Sequence, residues 1–449
     1  MKKNNRIYSL LLSMLFVIQL FADRLTIHHI GVGQGDATLI VAEQADLSNP
    51  PNIIYTTILI DAGNSSGKGK AVFSYMQEMI GGLKHLNYVI TSHLHSDHIG
   101  GMPTVLSLMH ENGWTIDYIA DRGAVSIPTP DTCYTANSSD PFVFNDTVDP
   151  VSLPLSTIYQ NYQIAVNTFY PDRRFNIPPG FDLFRQLKRP MTMNMLAIAS
   201  CSSVLNTYGS FLYTPYTSHD MDENDYSYVF LLTFQGYHYF TGGDVGGAYP
   251  YEDLETPIAT YLNTYPITGF HCCSYKASHH GSANSTNATF LNCIKPQLTV
   301  IPSALRSFNG TQLPGQSTVE ALLAASSTIY FTYIYVTSPY SGAISSYNDV
   351  YLQLTDPGYG SNIPITVGQR LRSKSSPYQP TALFTTGTFT CTLAHNPPTS
   401  SLSTAQVQLT PAKNNVRYSS LSARKSRKYI RLDRKVEAIR RKQQKIMEQ

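Results

Sequence analysis

Four side chains able to bind a transition metal fall within six positions of the stretch TSHLHSDHIGG: His93, His95, Asp97 and His98. His93 and His95 follow the apolar run LNYVI. Two residues apart on an extended chain, their rings project to one side. Asp97 and His98 then open a helix beside them, and Gly100 and Gly101 let the chain turn tightly nearby. Imidazole nitrogens combined with carboxylate oxygen suit zinc, with manganese or iron as alternatives. A bound divalent metal lowers the pKa of water to about 7, so hydrolysis at neutral pH is the expected chemistry. Far along the chain there is a second histidine cluster. KASHHGS carries His279 and His280 after another apolar run, and the strand leading into TGGD ends on Asp244.

The elements that must position these groups are legible in the same stretches. RLTIHHIGVGQGDATLIVAE alternates and then runs apolar, which predicts two strands joined by a glycine-rich turn. A dinucleotide fingerprint is excluded, because Gly31, Gly33 and Gly35 give GxGxG where GxGxxG is required. GNSSGKGK fails as a P-loop: Gly63 and Gly67 are one residue too close, and Gly69 stands where Ser or Thr would hold magnesium. Next come a strand, TTILIDAG, a helix around AVFSYMQEMIGGL, the strand LNYVITS, the histidine cluster and a helix, MPTVLSLMHENG. That order predicts α/β architecture. From about 120 to 215 the chain is rich in Pro, Ser, Thr, Asn and Tyr with weak periodicity, and reads as a long insertion able to shape a substrate cleft. YSYVFLLTFQGYHYFTGGD predicts a strand, a turn and a strand, and QLTVIPS a further strand followed by the helix QSTVEALLAASS. Residues 346–411 read as an extra C-terminal β region of short strands.

With 449 residues the chain can bury a large core. In residues 1–22, Lys2, Lys3 and Arg6 precede IYSLLLSMLFVIQLFA, which ends on Ala22. This is the layout of a signal peptide, and Ser9, Ser13 and Gln19 make a membrane anchor the weaker alternative. A secreted or periplasmic protein starting near Asp23 is expected. The net charge of +2 hides a division: from residue 413 onward there are 13 Lys or Arg against Asp433, Glu437 and Glu448, leaving 19 of 32 basic and 27 of 30 acidic residues before it. An acidic body therefore precedes a basic tail, residues 412–449, in which Leu432, Val436 and Ile439 recur at helical spacing. An acidic partner for that tail is expected, whether membrane, cell-wall polymer or nucleic acid. The six cysteines hold no CxxC pair, and adjacent Cys272 and Cys273 are expected to face opposite ways rather than to bond each other.

HLHSDH resembles the HxHxDH signature of the metallo-β-lactamase fold hydrolases. GVGQGDATLI, ILIDAG, TSHLHSDHIGG, NDYSYVFLL leading to TGGD, and KASHHGS occur in the order seen in the hydrolase domain of the ComEC/Rec2 competence proteins. Secreted relatives such as the pneumococcal phosphorylcholine esterase share that order. The resemblance runs from about 24 to 340, so residues 23–345 form the expected hydrolase domain. It implies a four-layer αββα sandwich carrying the long insertion and the C-terminal β region. It also implies two divalent metal ions, one near His93 and His95 and the other near Asp97 and His98, with Asp244 bridging. His279 or His280 closes the site, Asp61 orients a ligand histidine or approaches the metals, and Asp36 lies in the floor. Asp97, Asp244 and His280 are the residues expected to act in catalysis, with Asp97 or Asp244 accepting the proton. Many members hold another ligand histidine between the first cluster and the bridging aspartate. Here His110, in a helix that reads as surface, and His219, in TSHDMDEND, are the candidates weighed for that role.

These readings predict a secreted metal-dependent phosphodiesterase, acting on nucleic acid or on a phosphodiester of a small molecule or surface polymer. An acidic body disfavours a nuclease, since backbone recognition needs a basic track that only the tail offers. Hydrolysis of a carboxylic ester, lactone or β-lactam is the second enzymatic reading. A non-catalytic exported binding module is the third, against which the six metal-seeking side chains argue. Lys276 would neutralise phosphate charge if it faced the site; a strand-edge lysine facing solvent is the plainer expectation.

Overall fold

Alternating side chains build the inner strands. On β2 (Thr38–Asp46), Ile40 and Ala42 face one buried layer while Leu39 and Val41 face another, so both sides of the strand are covered. The same holds along β3 (Asn52–Ile60) and β4 (His85–Ile90), while β1 (Arg24–His29) gives Leu25 and Ile27 to the first layer only. Each large apolar side chain taken out of water in these layers contributes about 1.5–3 kcal/mol. With β5 (Thr115–Ala120) and β6 (Arg174–Phe175) these strands form part of a ten-stranded sheet, in which β3 to β6 run parallel.

The computed structural model describes residues 22–46, 52–123, 156–190, 192–205, 211–213, 222–264, 270–308, 310–340, 343–355, 362–373 and 384–392. A second sheet is ordered β16-β13-β12-β11-β10-β7-β8-β9. Its strands are β7 (Met193–Ser200), β8 (Ser203–Leu205), β9 (Phe211–Tyr213), β10 (Val229–Phe234), β11 (Tyr237–Thr241), β12 (Ser274–Lys276), β13 (Leu298–Ile301) and β16 (Thr328–Phe331). Strands β14 (Arg306–Phe308) and β15 (Thr311–Leu313) form a separate hairpin. Between the sheets lies a core that joins Leu25, Ile27, Ile58 and Ile90 to Met195, Phe230, Tyr239 and Val300. Helices α1 (Ser66–Ile80), α3 (Met102–Glu111) and α4 (Thr157–Phe169) pack outside the first sheet through Val72, Met76, Val105, Met109 and Tyr162. The short α2 (Ser96–Ile99) carries part of the histidine cluster, and α5 (Leu183–Gln186) adds Leu183 and Phe184 to the inner core. Outside the second sheet lie α6 (Glu255–Thr264), α7 (Ala288–Ile294) and α8 (Gln316–Ala324), buried through Ile258, Phe290 and Leu322. The fold is the four-layer αββα sandwich.

Two stretches contribute more to it than their composition suggests. The C-terminal β region supplies β18 (Ile344–Thr355), β19 (Asn362–Ser373) and β20 (Thr385–Thr392), all continuous with the first sheet. Strand β18 pairs with the whole length of β1, from Arg24↔Thr355 to His29↔Val350. Val350, Leu352 and Leu354 point into the core with polar residues between them, the pattern of a half-buried strand. The last strand, β17 (Tyr333–Tyr335), also pairs with β18. Likewise the region read as an insertion yields α4 and β7, whose Met193, Met195 and Ala197 line the inner core beside β10. Cys273 lies in that core and is disulfide-bonded to Cys391 of β20, whereas Cys272 is a free thiol buried in the outer layer, so the two neighbours do face opposite ways. The leader, His219 and the basic tail lie outside the described residues. Among the described residues no helix is long and apolar enough to cross a membrane.

Candidate metal centre

Side chains from both sheets meet where strands end. Strand β3 passes from Ile60 to Asp61, whose backbone is left-handed (φ 61°) and whose carboxylate turns back over the next strand end. Asp61 Oδ1 accepts from Ser92 N at 2.7 Å, and Oδ2 accepts from Ser92 Oγ at 2.6 Å and from His98 Nδ1 at 2.8 Å. Strand β4 delivers Ser92 and His93, and Asp97 occupies the first turn of α2, where a carboxylate complements the exposed N–H groups. The glycine turn between β1 and β2 packs on this loop: Asp36 N donates to Asp97 O at 3.1 Å and Gly63 N to Asp36 O at 2.8 Å. Gly35 has φ 120°, and a Cβ there would lie 2.1 Å from Asp97 O, so no other residue fits.

From the second sheet, β11 leads through Gly242 and Gly243 to Asp244. Strand β12 leads to the turn Ser278–Gly281, in which His279 (φ 48°), His280 (φ 54°) and Gly281 (φ 74°) are all left-handed. For the two histidines this costs about 1–3 kcal/mol each, which the surroundings must offset. His279 N donates to Gly243 O at 3.1 Å, and His280 Nδ1 donates to Pro302 O at 2.8 Å.

The result is a compact donor cluster. His280 Nε2 lies 3.2 Å from Asp244 Oδ2, 3.3 Å from Asp97 Oδ2 and 3.3 Å from His98 Nε2. His98 Nε2 is 3.2 Å from Asp244 Oδ2. Asp36, His98, Asp244 and His280 each offer an atom within 4.8 Å of the others. Beside this group, His93 Nε2 lies 3.1 Å from His95 Nδ1 and 3.9 Å from Asp244 Oδ2. His279 stands further off, with Nε2 4.0 Å from Asp244 Oδ2 and 3.4 Å from Asn224 Nδ2.

The electrostatics are those of a pocket built around positive charge. Burial works against a charged His98, but Asp244 and Asp61 outweigh it and hold its pKa well above the ordinary value. Burial is likewise overcome at His280, where Asp244 and Asp97 raise the pKa to about 10. The carboxylates respond in kind: burial opposes ionisation, yet the histidines hold Asp244 and Asp97 well below the usual range. His93 is lowered by burial and by His98, and burial lowers His279 to about 4. Asp244 Oδ1 is buried without a hydrogen-bond partner among the described residues. An anionic oxygen so placed is costly unless a cation meets it. Imidazole nitrogens with outer partners, converging on carboxylate oxygens, fit a divalent metal.

Of the histidines weighed between the first cluster and Asp244, His110 is exposed on α3 beside Phe169 and Tyr170. That interval also holds His238, which is buried against Phe270 in the second sheet. Lys276 does not face solvent. It is 2% exposed and ion-paired with Asp36, because β12 is an interior strand between β11 and β13 rather than an edge. The sequence reading missed Glu223, which accepts from Leu94 N at 2.8 Å and is ion-paired with Arg122, and Asn224 beside His279. Their only signal was the acidic run DMDEND ahead of a strand, and it carries no metal-ligand spacing.

Two sheets whose strand ends bring buried His and Asp side chains together make a candidate metal centre. Residues 55–120 match the family model of the metallo-beta-lactamase superfamily. Similar solved structures include a long form RNase Z from yeast (11% identity, 69% of this chain and 40% of that one, TM-score 0.33). Others are a diphosphatase from the PhnP family (11%, 72% and 96%, TM-score 0.31) and a metallo-beta-lactamase from Cronobacter sakazakii (12%, 56% and 76%, TM-score 0.27). This chain thus spans 40% of the length of the RNase Z. No curated protein matches the sequence.

Proposed function

We propose that the protein is an exported metal-dependent phosphodiesterase with two divalent ions, zinc foremost. The observation that carries the metal reading is the meeting of His280 Nε2 with His98, Asp97 and Asp244, and of His98 Nε2 with Asp244, at 3.2–3.3 Å, with the outer nitrogens of both rings fixed by Asp61 and Pro302. His98 Nε2, His280 Nε2, Asp97 and Asp244 would hold one ion, and His93, His95 and Asp244 the other. When bound, such ions lower the pKa of water to about 7 and stabilise the leaving oxygen. Asp61 and Pro302 keep the ring protons on the outer nitrogens, so that the inner ones remain donors. Asp97 has a side chain 18% exposed against 3% for Asp244. Of the two carboxylates considered for accepting the proton, Asp97 is the one nearer solvent.

Support for a phosphodiester rests on the ordered motifs from GVGQGDATLI to KASHHGS and their resemblance to ComEC/Rec2-like and phosphorylcholine-esterase-like domains. Small-molecule or surface-polymer phosphodiesters fit the acidic body better than nucleic acid does. The test is a substrate panel on the zinc-loaded full chain and on a chain lacking residues 413–449. Turnover of a small aryl phosphodiester should exceed that of a phosphomonoester, lactone or β-lactam and survive the deletion. Preference for lactone or β-lactam would replace this reading. A nucleic-acid substrate would instead show lower affinity and a flatter salt dependence after deletion, roughly one unit of slope per lost phosphate contact.

A further inference from the structure

One seven-residue segment, DENDYSY at 222–228, touches three loops of the metal centre. Leu94 N, between His93 and His95, donates to Glu223 Oε1 at 2.8 Å. Tyr228 N donates to Ser92 O at 2.9 Å, and Asp244 N donates to Ser227 Oγ at 3.1 Å. Asn224 Nδ2 stands 3.4 Å from His279 Nε2. The segment is itself held firmly. A capping box between Asp222 and Asp225 closes its 3-10 turn, and Asp225 Oδ1 also accepts from Glu252 N at 3.1 Å.

Within this frame Glu223 has a particular place. Residues 92–94 form a bend, outside helix and strand, so the peptide carrying the His93/His95 pair is not held by a regular ladder. Its N–H meets a carboxylate, and that carboxylate is gripped by Arg122, whose Nε donates to Glu223 Oε1 at 2.7 Å and whose Nη2 pairs with Oε2. Arg122 is 7% exposed and lies over the Tyr226 ring, 4.9 Å from its centroid. A charged acceptor braced in this way fixes a backbone N–H more firmly than a neutral, freely rotating one would. Since ligand geometry must be held within about 0.5 Å, the bend needs such a brace.

We infer that Glu223 is a positioning residue for the His93/His95 half of the centre, acting through the Leu94 peptide and braced by Arg122. The inference rests on the two-ion reading and assigns the brace of one ion only. Glu223 touches neither ion nor substrate. Outer partners of this kind typically change metal affinity 10–100-fold.

The experiment is stepwise chelator competition on the zinc-loaded full chain, with melting of the metal-free protein alongside. His95→Ala first identifies the ion belonging to the His93/His95 half. Glu223→Ala should weaken that same ion roughly 10–100-fold. The second ion should be unaffected, and the metal-free melting temperature should stay within a few degrees of the parent. Glu223→Gln, which keeps an acceptor for Leu94 N, should recover much of the lost affinity, whereas Glu223→Asp, which shortens the reach, should not. Unchanged affinities in Glu223→Ala would overturn the inference. So would equal weakening of both ions together with a collapse in metal-free melting, which would make Glu223 a folding residue. Should Glu223→Ala fail to fold, the order of Gln and Asp decides, and no difference between them overturns it. A parent protein that binds no second ion would instead sink the two-ion reading, and it is scored before any variant is made.

Discussion

His98 and His280 meet between the two sheets with both rings enclosed, at 0% and 1% exposure, whereas His95 is partly exposed beside them. The enclosed half draws on three places remote in sequence, and each of its rings has its outer nitrogen held, one by Asp61 and one by the Pro302 carbonyl. The His93/His95 half comes from one bend, and its peptide is held from outside by Glu223. Enclosure removes water, so each charge in the first half must be matched by another within the protein. In the second half His93 is as enclosed as His98, and only His95 stands near solvent, where a ligand can exchange. On the two-ion proposal, this predicts a tightly held ion at His98/His280 and a more exchangeable one at His93/His95.

Asp244 is the member common to both halves and should give the largest effect. Asp244→Asn removes the charge facing His98, His280, His93 and His279. Hydrolytic activity should fall by roughly 100-fold or more, at or beyond the range for outer partners, with both ions weakened in metal analysis. Full activity in that variant would remove the catalytic assignment whatever the substrate.

Separating the halves comes next. His98→Ala should deplete the enclosed ion and, through Asp61 and Asp244, disturb its neighbours, so that purified protein retains less than one ion per chain. His95→Ala should retain about one. Equal retention in the two variants would show that the centre loads as a unit and that the distinction drawn from burial does not govern binding.

The smallest expected effect comes from the turn that supports the enclosed half. Gly35→Ala places a Cβ 2.1 Å from Asp97 O at φ 120°. A forced backbone of this kind costs about 1–3 kcal/mol, read as a lower denaturant midpoint. Because Asp97 belongs to the enclosed half, that ion should loosen and the His93/His95 ion should not. Loosening of the second ion alone would break the comparison.

Part of the candidate centre was legible because its metal-seeking side chains cluster in sequence. His93, His95, Asp97 and His98 share one loop, and the spacing alone points to a metal. Asp244, Asp61 and Asp36 came only through the resemblance, since a lone aspartate after a strand has no spacing to identify it. Which of His279 and His280 enters the cluster was not legible. Both are left-handed, and only the meeting with Pro302 and Asp244 turns His280 inward.

Local chemistry determined the strands, the glycine turns and the metal-seeking loop, because side-chain alternation, backbone permissiveness and ligand spacing act over a few residues. Long-range pairing decided the rest. Strand β18 reaches its place only by pairing with β1, more than 300 residues away in sequence, and Lys276 is buried only because β13 covers the strand that carries it. Glu223 became visible only where its carboxylate met Leu94 N and Arg122, each about 100 residues or more away. An ion pair between single residues so far apart leaves no period in the sequence, and its partners are chosen by the packing of the sheets.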